Sequence, residues 1–279
     1  MEPEQRVTGE FELNVGGERL AIRLNLPTNS TKPHRVLPIF QQMTNSFIDI
    51  SKKAAEARGK EISCKEGCSA CCRPPVPISE LEVYQLAELV ESMPEPRRSE
   101  VRKKFSDACE HFSRIGWFDR IAACDELGKS KPLAIVAEEL DDAVNEYFQQ
   151  DIACPFLEDN LCSIHAARPL VCREHLVTSP AENCSRVNNE PVEGLDLLVS
   201  PSKIIQFIGR TGRFNGLGFV PLIRALELAE RFPEAFEKKD TKYWVDEFFD
   251  RLSNKRPTKE ESVLESRKKR SKHRKPRKR

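Results

Sequence analysis

Cys64-Lys65-Glu66-Gly67-Cys68-Ser69-Ala70-Cys71-Cys72 packs four thiols into nine residues. A second set, Cys154, Cys162, Cys172 and Cys184, follows with seven, nine and eleven residues between successive members. Cys109 and Cys124 lie between the two sets and stand alone. A packed core does not ask for thiols at this density. Something must hold the sulfurs, and the chemistries on offer are disulfides, zinc or an iron–sulfur cluster. Thiolates suit tetrahedral zinc and cluster irons alike, and spacings of two or three residues let one tight loop aim successive sulfurs at a centre. Adjacent Cys71 and Cys72 are harder to direct at one ion, because neighbouring side chains diverge. Eight sulfurs also exceed what one zinc or one four-iron cluster needs, so two sites, a polynuclear metal, or some thiols outside the coordination shell are all open.

The surrounding chain argues against disulfides. The start, Met1-Glu2-Pro3-Glu4-Gln5-Arg6, has neither a basic nor an apolar segment of a secretory signal. A reducing, cytoplasmic setting is expected, where clustered cysteines serve as ligands or redox groups. No run of 18 apolar residues offers a membrane span. The 279 residues, 32% charged and 39% hydrophobic, are enough for a sizeable core. The net charge of +1 conceals an asymmetry: residues 266–279 hold ten Lys or Arg and no acid. The remaining 35 basic and 44 acidic residues give that part a net of −9.

The expected fold is mainly α, a cysteine-rich metal-binding domain with a small N-terminal β-hairpin and a C-terminal helical extension. The expected divisions are a hairpin over 1–30, the cysteine-cluster domain over 31–190, C-terminal helices over 191–254 and a basic disordered tail over 255–279. Phe11, Leu13 and Val15 alternate before Gly16-Gly17, and Leu20, Ile22, Leu24 and Leu26 alternate after it, which reads as a hairpin with a two-residue turn. Leu37, Phe40, Met43, Phe47, Ile50 and Ala54 make a helical stripe over 36–58, with Gly59 as its stop. Pro74, Pro75 and Pro77 keep the next stretch extended. Ser79 and Glu82 form a capping box for a helix through Val90, with Leu81, Leu86, Leu89 and Val90 inward. A helix over 97–115 uses Val101, Phe105, Ala108 and Phe112. Pro132 opens another with Leu133, Val136, Leu140, Val144 and Phe148 inward. Residues 154–162 read as a loop, and 202–210, 221–232 and 242–253 as helices.

The two cysteine sets, with Cys154-Pro155-Phe156-Leu157, Cys162-Ser163-Ile164-His165 and Ala167-Arg168-Pro169-Leu170-Val171-Cys172-Arg173, resemble the YkgJ-type cysteine-cluster family. The resemblance covers 64–186. Its first interval is three residues where the family commonly has two, and His165 stands where the family usually has an aromatic residue. Family members are described as zinc- or iron-chelating proteins with eight cysteines, which implies Cys64, Cys68, Cys71, Cys72, Cys154, Cys162, Cys172 and Cys184 as ligands. A similar domain occurs in flagellin lysine N-methylase, said to carry an iron–sulfur cluster. Iron, as ions or an iron–sulfur cluster, is thus the expected cofactor, with zinc the alternative.

Cys64-x3-Cys68-x2-Cys71 also has the spacing of radical S-adenosylmethionine enzymes. Ala70 sits where those enzymes place an aromatic residue, and the helices downstream lack their alternating strands. His165 reads as an aromatic-like packing residue ahead of a ligand. Arg168 and Arg173 read equally as donors to anionic sulfurs or as surface ion pairs. Cys109 and Cys124 read as small buried hydrophobes. Gly-rich 211–218 follows no strand and is a connector. The expected function is a metal-chelating or redox protein without an assignable substrate or catalytic residue. Two alternatives stand beside it. One is a nucleic-acid or ribosome-associated protein with a structural metal and nonspecific polyanion contact through 255–279. The other is a cluster-dependent protein-modifying enzyme such as a methyltransferase.

Overall fold

The computed structural model describes residues 6–15, 18–65, 67–128, 130–185, 190–214 and 218–253. The turn Gly16-Gly17 and the basic tail 255–279 lie outside the described residues. Strands β1 (Arg6–Val15) and β2 (Glu18–Pro27) pair antiparallel in the expected register, Val15 opposite Glu18. Ile22, Leu24 and Leu26 turn one face of β2 into the core. After β3 (Ser30–Thr31) comes α1 (Leu37–Glu56), and Gly59 takes a positive φ of 74° just beyond its end. Strand β4 (Pro77–Ser79) leads into α2 (Glu80–Glu91), where Ser79 and Glu82 close the capping box. Helices α3 (Arg97–Arg114), α4 (Trp117–Gly128) and α5 (Leu133–Gln149) follow. The second cysteine region holds β5 (Leu157–Glu158), β6 (Leu161–Cys162) and the short α6 (Leu170–Glu174). The C-terminal part holds α7 (Ser202–Ile205), β7 (Phe219–Pro221), α8 (Ala225–Arg231), β8 (Lys239–Asp240) and α9 (Thr241–Ser253).

Three cores organise these elements. The first joins β2, α1, Leu170 of α6, and Trp244 and Phe248 of α9, with Phe40 stacked on Phe248 at 5.0 Å between ring centroids. The second joins α2, α3 and α8 to Phe156 and Ile164 of the second cysteine region, with Cys154 and Cys162 packed against it. Phe105 and Phe156 meet edge to face at 5.3 Å there, and full burial of such side chains contributes about 2–3 kcal/mol each. The third, around Phe112, Trp117 and Tyr147, closes the end of α3. Short ladders β4–β7 and β3–β8 tie the C-terminal part back to the front of the chain. No helix among the described residues is long and apolar enough to cross a membrane.

The buried faces of α1 and α5 differ from the sequence expectation, the helix expected over 202–210 ends at Ile205, and α4 is a helix the sequence reading lacked. Along α1 the buried face runs Leu37, Phe40, Met43, Phe47 and then Ile48, Ser51 and Ala55, leaving Ile50 and Ala54 half-buried. The sequence stripe has a mean interval near 3.4, shorter than the 3.6 residues of a helical turn, so its later members rotate away from the buried face. In α5 the buried residues are Val136, Ala143 and Tyr147, with Leu140, Val144 and Phe148 only partly covered. Tyr147 wins the inner position because its ring stacks on Phe112, 3.9 Å between centroids. Helix α4 carries no clear periodic signal. It docks through Trp117, whose indole N–H donates to the Ala143 carbonyl at 2.7 Å.

Candidate metal centre

Beyond Gly59 the chain runs extended into the first cysteine set and is anchored to the segment after α6. Ser63 N donates to Val177 O at 2.9 Å, and Val177 N donates to Cys64 Sγ at 3.3 Å. Two successive turns then shape the set: Cys68 N donates to Lys65 O at 3.1 Å and Cys72 N to Ser69 O at 2.9 Å. Gly67 makes the first turn at a φ of +82°, a region L side chains avoid. Cys71 and Cys72 are close enough for their side chains to hydrogen-bond. Adjacent thiols, expected from the sequence to diverge, meet because the turn curls their stretch of backbone.

The second set is joined to the first by the backbone itself, Cys154 N donating to Cys72 O at 2.7 Å. Ser69 Oγ donates to Asn160 Oδ1 at 3.3 Å and Arg73 Nε to Asp151 Oδ1 at 2.6 Å across the same seam. Residues 154–162, read from sequence as a loop, form a small hairpin. Asp159 and Asn160 both take positive φ, 49° and 60°, the pair of left-handed residues that a primed two-residue turn needs and that Asp and Asn tolerate. Leu157 thereby sits opposite Cys162.

Cys172 rides on α6, whose first N–H, that of Leu170, donates to Glu82 Oε1 at 2.8 Å. The other oxygen of Glu82 accepts from Ser79 N at 2.7 Å and Ser79 Oγ at 2.9 Å. One buried carboxyl thus caps two helices. Burial raises its pKa, opposed by those donors and by Arg173. Cys184 lies in the turn 181–185, its Sγ 4.0 Å from His175 Nε2.

The eight thiols occupy one electrostatic neighbourhood centred on Cys71. Its charge acts on Cys64, Cys72, Cys154, Cys162, Cys172 and Cys184. Cys68 joins through its action on Cys64 and Cys184. Burial comes first in pushing Cys64, Cys162 and Cys172 above the ordinary thiol value, Cys154 to about 12 and Cys184 to about 11. Cys71 goes the other way, to about 7, because the Cys72 side chain hydrogen-bonds to it; Cys72 is driven up in return. All ten cysteines are free of disulfides. Thiols held protonated by burial and by one another are a donor set that a cation converts to thiolates, displacing the protons. Among the described residues, no three His, Cys, Asp or Glu side chains close tightly around one ion.

Cys124 is buried, whereas Cys109, expected to be buried, is half-buried. Cys109 donates to Ile223 O at 2.9 Å, and its charged neighbours are Glu227 and Arg224; those of Cys124 are Glu139 and Arg120. His165 is exposed in the turn 165–167. Arg173, 5% exposed, is a scaffold residue: it donates to Arg168 O at 3.1 Å, to Asn45 Oδ1 at 3.2 Å and to Ala166 O. The charge of Arg168 favours the thiolates of Cys64, Cys71 and Cys162, and that of Arg173 favours the Cys162 thiolate as well. The sequence reading missed His175, and it missed the second partner of Glu82, which lies 88 residues away.

Residues 63–191 match the family model CxxCxxCC, described as "Putative zinc- or iron-chelating domain". No curated protein and no solved structure matches the chain. The matched segment, under half of the chain, carries the eight cysteines of the two sets and is similar to the CxxCxxCC family of zinc- or iron-chelating domains.

Proposed function

We propose that Cys64, Cys68, Cys71, Cys72, Cys154, Cys162, Cys172 and Cys184 together hold a polynuclear thiolate-ligated metal centre, and that its metal is iron in an iron–sulfur arrangement. The observation that carries this reading is the neighbourhood around Cys71, which reaches six of the other seven thiols directly. Four thiolates already outweigh the charge of one divalent ion. Eight gathered sulfurs therefore call for more than one cation. An iron–sulfur centre supplies one-electron chemistry whose potential is set by burial and by hydrogen bonds to the sulfurs. The chain's own part is to bring three separate stretches of backbone to one place, through the Cys154–Cys72, Ser63–Val177 and Leu170–Glu82 bonds.

The test is metal analysis with an absorption spectrum on the full chain purified without oxygen. Bound iron with broad visible absorbance is the expected result. A colourless protein with stoichiometric zinc would keep the chelating role and overturn the iron assignment. Protein that holds no metal after reconstitution with either ion would overturn both.

A further inference from the structure

We propose that Glu82 is a positioning residue of the centre: its carboxyl sets where Cys172 stands by holding α6 against the first turn of α2. This rests on the chelating reading above. Each link in the argument is a hydrogen bond of the fold. Cys172 is the third residue of α6 (Leu170–Glu174). A helix of five residues is far too short to hold its own place, so its position is dictated from outside. One oxygen of Glu82 accepts from Leu170 N, the first N–H of that helix, at 2.8 Å. The other accepts from Ser79 N at 2.7 Å and Ser79 Oγ at 2.9 Å, at the start of α2. Glu82 is 3% exposed and Leu170 has no exposed surface, so the joint is buried. A buried N–H deprived of its acceptor is costly. Without the carboxyl, α6 must move to satisfy Leu170 N, and Cys172 moves with it.

The other ties of α6 fix different things. The Arg173 side chain donates to Ala166 O and Arg168 O of the preceding loop and to Asn45 Oδ1 of α1. Glu174 accepts from Ser202 N at 2.7 Å and Ser202 Oγ at 2.6 Å, which joins the end of α6 to α7. Those two side chains reach outward from the helix. Glu82 instead grips the helix backbone itself, where it begins and two residues before the thiol. It does so from α2, whose Leu81, Val83 and Leu86 have no exposed surface, so the thiol is referred to a packed element rather than to a loop. Glutamate suits the joint because its two oxygens accept from both helices at once. Metal centres need their ligands held to within about half an ångström, and removing a partner that orients a ligand lowers metal affinity about 10–100-fold.

The experiment loads the full chain and three variants with cobalt(II), whose thiolate charge-transfer band reports the sulfurs whichever metal is native. Glu82→Leu removes every acceptor from the joint. Glu82→Gln leaves one oxygen for the donors of two helices. Ser79→Ala weakens the cap of α2 and leaves the bond to Leu170 N in place. Chelator competition gives metal retention, and thermal unfolding of the metal-free proteins gives stability. Glu82→Leu is expected to lose metal about tenfold more readily and to show an altered charge-transfer band at saturating cobalt, with Glu82→Gln between it and wild type. Ser79→Ala is expected to melt lower while keeping the wild-type retention and band. Should Glu82→Leu not fold, Glu82→Gln against Ser79→Ala carries the same comparison. Wild-type retention and an unaltered band in the Glu82 variants would overturn the proposal. So would an equal loss of metal in Ser79→Ala, since that marks a cap of α2 and nothing more. Wild-type protein that takes up no cobalt would instead count against the chelating reading itself.

Discussion

Around Phe40 the chain is held by rings and aliphatic side chains: Phe40, Met43 and Phe47 of α1, Leu24 and Leu26 of β2, and Trp244 and Phe248 of α9 bury one another almost completely. Around Cys72 the ties are of another kind. Backbone groups bond across short turns, Cys154 N to Cys72 O and Cys72 N to Ser69 O, and the side chains between them are thiols and half-buried. The first region carries its stabilisation within itself, as apolar area withdrawn from water. The second has turns and two-residue strands that bury little, and thiols that repel one another when ionised. It is fastened to α1 through Gln41, to α2 through Glu82 and to α3 through Phe105. The difference teaches where a change in the chain will be felt, as unfolding of the helices or as loss of the centre.

The largest effect is expected from the apolar region. Phe40→Ala removes a ring with no exposed surface that stacks on Phe248, and its cost is expected at about 3–5 kcal/mol. Denaturant unfolding measures it. If the two regions are built as described, the metal content per folded molecule stays at the wild-type value. A variant that keeps its helices by circular dichroism yet loses metal in proportion would break the distinction and make the cysteine region an extension of the first core.

What the sequence disclosed follows the same division. The hairpin register, the capping box at Ser79 and Glu82, and the α3 stripe of Val101, Phe105, Ala108 and Phe112 were all legible, because each is a local pattern of period two or 3.6. The ligand candidates were legible as a composition, thiols too many and too close for a core. What was not legible is long-range. Nothing local says that Glu82 also receives Leu170 N, or that Arg173 spends its donors on Arg168 O, Ala166 O and Asn45 Oδ1 while Arg168 Nε is buried without a partner. In the sequence the two arginines flank Cys172 and look alike. Helix α4 was hidden for a different reason: it is fastened by the Trp117 indole, which meets Tyr147 edge to face, and by the Arg120–Glu146 pair, without a continuous stripe.

A smaller effect sharpens the contrast among the thiols themselves. Cys124 is 3% exposed on α4, and Cys109 donates to Ile223 O at 2.9 Å. Each to Ala is expected to cost about 1 kcal/mol in stability, the value of one small buried group or one hydrogen bond. Neither is expected to change metal stoichiometry. Cys72→Ala is expected to do the reverse, lowering metal content with little change in the helices. Metal analysis of the three variants side by side decides it; metal lost from Cys109→Ala would extend the centre toward α3.

The smallest effect vanishes at neutral pH. His34 is buried between Tyr84 and Phe236, with Nε2 3.1 Å from Glu88 Oε1 and Nδ1 without a partner. Burial holds its pKa below the ordinary 6.5, opposed by Glu88 and Glu234 and assisted by Arg35. The unfolded chain therefore takes up the proton more readily than the fold does. The stabilisation from a neutral His34 is complete above about 6.5 and is lost as pH falls below it. Acid also strips metal from thiolates, so a simple acid titration mixes the two regions. His34→Phe separates them, because it keeps a ring among Tyr84 and Phe236 and removes the titration. Its metal-free stability is expected to fall less than that of the wild type between pH 6.5 and pH 5, while the pH at which metal is released stays where it was. A release midpoint that moved with His34→Phe would mean that the buried histidine and the thiols respond to acid as one unit.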